Sequence, residues 1–124
     1  MLIVYAVPFE KKRKTMSKLG VMINLRPDTD IAEEMRKAQE IGCECCQLSV
    51  WDMSLYTDEN AARIRAAAEQ HGIEISTLWT GWSGSREWNF TGGPMTLGVV
   101  PEAYRMQRAE NIIDTLAYLR DILG

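Results

Sequence analysis

No apolar run in this chain approaches the roughly 20 residues needed to cross a bilayer. The run Leu2 to Val7 is too short for a secretory core. Its basic residues, Lys11 to Lys14, come after the apolar stretch, where a signal peptide places them first. Net charge is also scarce. A formal value of −3 gives no reason to expect nucleic acid or an anionic membrane as partner. The cysteines Cys43, Cys45 and Cys46 are odd in number and crowded together, which is no disulfide framework. These features together point to a cytoplasmic protein. What is present, 46% hydrophobic and 25% charged residues over 124 positions, suits one small domain or a piece of a larger one.

Residues 1–15 differ in character from the rest of the chain. Glu10-Lys11-Lys12-Arg13-Lys14 can be encoded by purines alone, as a bacterial ribosome-binding site would be if translated, and it stands just before Met16. Two readings stand: a non-native or disordered leader with the natural start at Met16, or an ordinary basic arm. Without residues 1–15 the chain loses four basic residues and one acidic residue, and its charge falls from −3 to −6.

From 16 to 124 the pattern alternates. Leu19 to Leu25 is short, apolar and strand-like. Asp28-Thr29-Asp30 then offers capping side chains. Ile31, Met35, Ala38 and Ile41 come next at helical spacing, with Gly42 at the C′ position. Cys45 to Val50 is a second apolar run. Thr57 can cap a second helix carrying Ala61, Ile64, Ala68 and His71 and stopping at Gly72. Ile73 to Leu78 reads as a third strand, with a long loop after it from Gly81 to Pro101. A third helix from Glu102 is expected to turn Ala109, Ile112, Ile113, Leu116 and Leu123 inward and to close at Gly124. Strand–helix units with short links predict parallel strands in order 1-2-3 with the helices on one side. The apolar strand residues Val21, Ile23, Leu48, Val50, Ile75 and Leu78 are expected to divide between the two sheet faces. Parallel strands need cover on both faces, so raw edges and self-association through them are expected.

Gly20-Val21-Met22, Ile41-Gly42 leading into Gln47-Leu48-Ser49, His71-Gly72-Ile73, and above all Gly93-Pro94-Met95-Thr96-Leu97-Gly98-Val99-Val100-Pro101 before Tyr104-Arg105 and Arg108 carry a resemblance. On them the chain resembles the sugar phosphate isomerase/epimerase branch of the xylose-isomerase-like superfamily. The resemblance implies an α/β fold, a partial (β/α)8 TIM barrel of its first three units. A whole barrel takes about 250 residues, so the chain is expected to stop one step before a fourth strand. The implied reaction moves a carbonyl, or inverts a carbon beside one. A divalent metal (Mn, Mg or Co) polarises oxygens while carboxylates shuttle a proton through an enediolate. The implied ligands lie on later strands, so no catalytic or metal residue is assigned here, no metal is expected on this chain alone, and the chain is expected to be inactive by itself. The implied partner is a small sugar or sugar phosphate.

In such barrels the carboxyl ends of the strands and the loops after them build the site. The candidates are Asn24 after strand one, Trp51 and Asp52 after strand two, Trp79 and Trp82 after strand three, and Trp88 and Asn89 in the long loop. Indole faces suit the C–H faces of a sugar and Asn suits its hydroxyls. The plainer account is that the indoles cap the barrel core. The cysteines read as buried free thiols, and His71 and the acidic cluster Asp28, Asp30, Glu33 and Glu34 read as partners of helix dipoles. Two other functions stand beside the isomerase: a non-catalytic partial-barrel module that binds or oligomerises, and an abasic-DNA enzyme of the same superfamily, disfavoured by the acidic charge.

Overall fold

The computed structural model describes residues 17–123. The leader, the start at Met16, the Leu123 side chain and Gly124 lie outside what it describes.

Three strands and four helices alternate: β1 (Gly20–Leu25), α1 (Ile31–Glu40), β2 (Cys45–Val50), α2 (Asp58–His71), β3 (Glu74–Thr80), α3 (Gly93–Thr96) and α4 (Glu102–Leu123). A short 3-10 turn, Met53–Leu55, comes after β2. The strands form one parallel sheet in the order β1-β2-β3. β3 begins and ends one to two residues later than Ile73–Leu78, because its pairing with β2 slips at Cys46/Gln47 and then continues to Thr80 opposite Val50. The four-residue helix α3 lies inside the long loop, a stretch in which the sequence pattern predicts no element.

The helix ends reflect capping chemistry. Asp30 accepts a hydrogen bond from the Glu33 N–H, and Thr57 from the Asn60 N–H, so each satisfies an orphan donor of its first turn. Gly42 and Gly72 both take positive φ, 84° and 63°, and close their helices as expected. His71, in the last turn of α2, sits 3.1 Å from the Gln39 side-chain oxygen.

The strand residues do not divide between the faces. Ile23, Leu25, Cys46, Leu48, Val50, Ile75 and Leu78 are all buried in one core with Ile31, Met35 and Ala38 of α1, Ala61, Ile64 and Ala67 of α2, and Tyr118, Leu119 and Ile122 of α4. Val21 packs at its margin. The parallel register lines up Val21 with Cys46, Ile23 with Leu48 and Leu25 with Val50, so period-2 alternation sends every one of these to the helix side. Each fully buried Leu, Ile or Val contributes about 1.5–3 kcal/mol relative to exposure. The opposite face carries Met22, Asn24, Gln47, Ser49, Thr77 and Trp79.

The inner face of α4 also departs from expectation. Ile113 is 64% and Leu116 46% exposed, and Ala109 and Ile112 are only partly buried. Arg108, Thr115, Tyr118, Leu119 and Ile122 face inward instead. The helix carries two apolar stripes. Packing against α2 and β3 selects the one that includes Tyr118, Leu119 and Ile122. Of the three thiols, Cys43 and Cys46 are buried as expected, while Cys45 is partly exposed.

Candidate functional site

One row runs across the open face near the carboxyl ends of the strands: Asn24 of β1 pairs with Ser49 of β2, which pairs with Trp79 of β3. One residue beyond β2, Trp51 becomes a hub. Its ring centroid lies 5.7 Å from Trp79, 5.2 Å from Trp82 and 6.0 Å from Trp88, each edge-on. Trp82 and Trp88 are 6.2 Å apart. Such edge-to-face pairs contribute about 0.5–1.5 kcal/mol beyond their burial. The close approach depends on Gly81, since a Cβ there would meet the Trp51 Cα and carbonyl oxygen at 2.7 Å. The Gly81 N–H donates to the Val50 carbonyl at 2.8 Å and ties the two strand ends together.

The five candidates converge, with different accessibilities. Asn24 and Trp51 line a cavity of about 270 Å3 with Arg26, Ser49 and Asp52. Trp88 is 63% exposed, Trp51 and Trp79 are half-buried, and Trp82 is buried. Trp82 is thus a buried support for its neighbours, while Trp51 and Trp88 present surface. The Nε1 atoms of Trp79 and Trp82 are buried without a hydrogen-bond partner among the described residues. Arg86 places its guanidinium 5.2 Å from the centroid of Trp51, a cation–π contact.

Two further candidates are engaged locally. Asp52 accepts from the Ser54 N–H at 2.9 Å and the Ser54 hydroxyl at 2.6 Å, which holds its carboxyl below the usual range. Asn89 accepts from the N–H groups of Thr91 at 2.9 Å and Gly92 at 2.6 Å and so shapes the entry to α3.

Sequence reasoning missed the residues that hold this end of the molecule. The Tyr56 hydroxyl lies 3.0 Å from the Val50 carbonyl and 2.8 Å from Thr80 Oγ1, and Thr80 Oγ1 lies 3.0 Å from Thr115 Oγ1. This largely buried cluster joins β2, β3 and α4, and burial pushes the Tyr56 phenol up. Arg108 is 1% exposed. It donates to the carbonyls of Ser83 at 3.1 Å, Ser85 at 2.9 Å and Gly98, and stacks against Tyr104 and Trp82 at 4.5 and 5.5 Å. Arg105 donates to Val99 and Val100 at 3.1 and 2.8 Å. Two arginines on one helix thus staple both arms of the long loop. The Tyr-Arg spacing was legible, but its acceptors are carbonyls, which leave no side-chain signal.

Among the described residues, no three His, Cys, Asp or Glu side chains come together in an arrangement that could hold a metal ion. Asp52, the carboxylate just after β2, is already engaged by Ser54. The described residues therefore do not fit a divalent metal. No described helix is long and apolar enough to cross a membrane.

No family model and no curated protein matches the chain. In structure it is similar to the crystal structure of a xylose isomerase domain protein from Planctomyces limnophilus, with a TM-score of 0.70 at 20% sequence identity. The match covers 85% of this chain and 36% of that protein, so the chain spans about a third of that protein's length. With three parallel strands in sequence order under one helical layer, the chain has an α/β fold like that of the matched part of that structure.

Proposed function

We propose that the described residues form a sugar-binding wall of an isomerase- or epimerase-type barrel, contacting a small sugar or sugar phosphate. The observation that carries this is the gathering of Asn24, Trp51, Trp79, Trp82 and Trp88 at the carboxyl end of one sheet, the end where barrels of this kind bind. Trp51 and Trp88 offer indole surface to sugar C–H groups, and Asn24 offers an amide to hydroxyls. The role is binding and orientation. The resemblance places the metal ligands and proton carriers on later strands, so the purified chain is expected to bind sugar without isomerising it.

Indole 15N–1H resonances provide the test. Titration with glucose, galactose, xylose and glucose 6-phosphate should shift the Trp51 and Trp88 signals saturably with at least one of them, and Asn24→Ala should weaken that response. Unmoved signals across the whole series would refute the reading. Turnover of any of these sugars by chain free of host enzymes would refute the non-catalytic part.

One observation favours a second reading, a module that associates with its own kind. Met106, Ile113 and Leu116 expose 74%, 64% and 46% of their surface on α4, and β3 pairs with β2 alone among the described strands. Sedimentation velocity should then show concentration-dependent dimers that Ile113→Glu with Leu116→Glu dissociates. A monomer at every concentration would eliminate it.

A further inference from the structure

The long loop after β3 carries a shallow, open apolar hollow of about 550 Å3, separate from the cavity beside Asn24. Trp88, Phe90, Pro94, Leu97 and Val100 line it, and Asn89 is its polar side chain. No charged side chain takes part. Phe90 is fully exposed, at 103%, and Val100 is 74% exposed. Large apolar groups left open to water in one patch mark a binding surface more often than chance.

Hydrogen bonds tie the loop around it. The Gly93 N–H donates to the Asn89 carbonyl at 2.9 Å, and the Leu97 N–H to the Gly93 carbonyl at 2.8 Å. Thr96 Oγ1 accepts from the Glu87 N–H and donates to the Gly92 carbonyl, both at 2.9 Å. Arg105 and Arg108 clamp the carbonyls of Gly98, Val99 and Val100. A loop tied by these bonds presents Phe90 and Val100 outward, and the open apolar surface beside them suits a flat apolar group laid against it.

Trp88 belongs to both places. It packs 6.0 Å from Trp51 in the tryptophan cluster and also lines the loop hollow. Trp88 is thus the one residue common to the tryptophan cluster and the apolar surface of the loop. We propose that this hollow is a subsite for an uncharged apolar substituent on the bound sugar, such as the aryl or alkyl aglycone of a glycoside. The assignment rests on the sugar-wall reading above and narrows its substrate class to glycosides with an apolar group. Without a cationic side chain, the hollow does not offer a place for a phosphate.

Isothermal titration calorimetry with paired methyl and phenyl β-glycosides of glucose, galactose and xylose tests it on the full 124-residue chain. Each phenyl glycoside that binds should do so about ten-fold or more tightly than its methyl partner, as expected for burying one ring. Phe90→Ala and Val100→Ala, both at exposed positions, should shrink that ratio to about three-fold or less. Equal affinities within every pair would overturn the subsite and leave the sugar wall standing. A ratio unchanged in both variants would also overturn it. Phenol binding as tightly as phenyl glycosides, or no glycoside binding at all, would overturn subsite and sugar wall together.

Discussion

The two faces of the sheet differ in almost every side chain. Toward the helices it presents Ile23, Leu25, Cys46, Leu48, Val50, Ile75 and Leu78, none more than 8% exposed. Away from them it presents Met22, Asn24, Gln47, Ser49, Thr77 and Trp79. Met22 is half exposed, and Asn24 is exposed. Parallel sheets are usually apolar on both faces because helices cover both. Here the apolar alternation is one-sided. The helical layer supplies the core, and the second face is free to carry amides, hydroxyls and indole rings. Stability and candidate chemistry are thus separated by the thickness of one sheet.

The sharpest test of that separation is Leu48→Ala. Leu48 has no exposed surface and sits mid-sheet, so the change should cost about 2–5 kcal/mol by denaturant unfolding. That is a large part of a small domain's stability. Thr80→Val should cost somewhat less, about 1–3 kcal/mol, because it leaves the Tyr56 and Thr115 hydroxyls short of a buried partner. The loss should also broaden the Trp51 and Trp82 indole signals, since Gly81, next to Thr80, abuts the Trp51 backbone and precedes Trp82.

Alkaline pH probes the covered face by another route. Burial pushes the Cys46 thiol from an ordinary 9.0 up to about 12. Above pH 9 the unfolded chain therefore releases a proton that the folded chain retains. Stability from this group is complete below pH 9 and should fall as pH rises toward 12, by about 1 kcal/mol over the first unit. Tyr56 and Tyr118, also raised by burial, act in the same direction above their ordinary 10.0. Unfolding curves at pH 8 and pH 10 check the sign, and a flat profile would mean that the covered face admits water. Below pH 9, a thiol reagent should label partly exposed Cys45 well before Cys46.

The smallest effect belongs to the open face. Gln47→Ala should change stability by less than about 0.5 kcal/mol. A cost matching that of Leu48→Ala would break the comparison, because it would mean that the open face is covered in solution.

The sheet's order and the helix caps were legible because their causes are local. Asp30 and Thr57 cap through neighbours three residues away, and Gly42 and Gly72 stop helices by their own backbone freedom. Face assignment was less legible. Val21, Ile23, Leu48 and Val50 each announce a strand, but which pair shares a face depends on the register between strands. α4 shows the same limit. Its apolar residues allow two inward stripes, and the choice of Tyr118, Leu119 and Ile122 over Ile113 and Leu116 is made by α2 and β3. The sequence marks the candidate site one tryptophan at a time. That Trp51 is the hub, that Trp82 is buried support and that Asn89 and Asp52 are engaged by their own loops emerges only from the folded arrangement.

By itself, then, the sequence determined the alternation of strands and helices, their parallel order and the placing of tryptophans near strand ends, because apolar period, capping and glycine stops act over a few residues. The tertiary structure alone decided which face is core, which indoles present surface, and how two arginines of α4 hold the loop. Those outcomes depend on contacts between segments far apart in the chain, such as Arg108 with the Ser83 carbonyl and Trp51 with Trp82, and no local pattern encodes their partners.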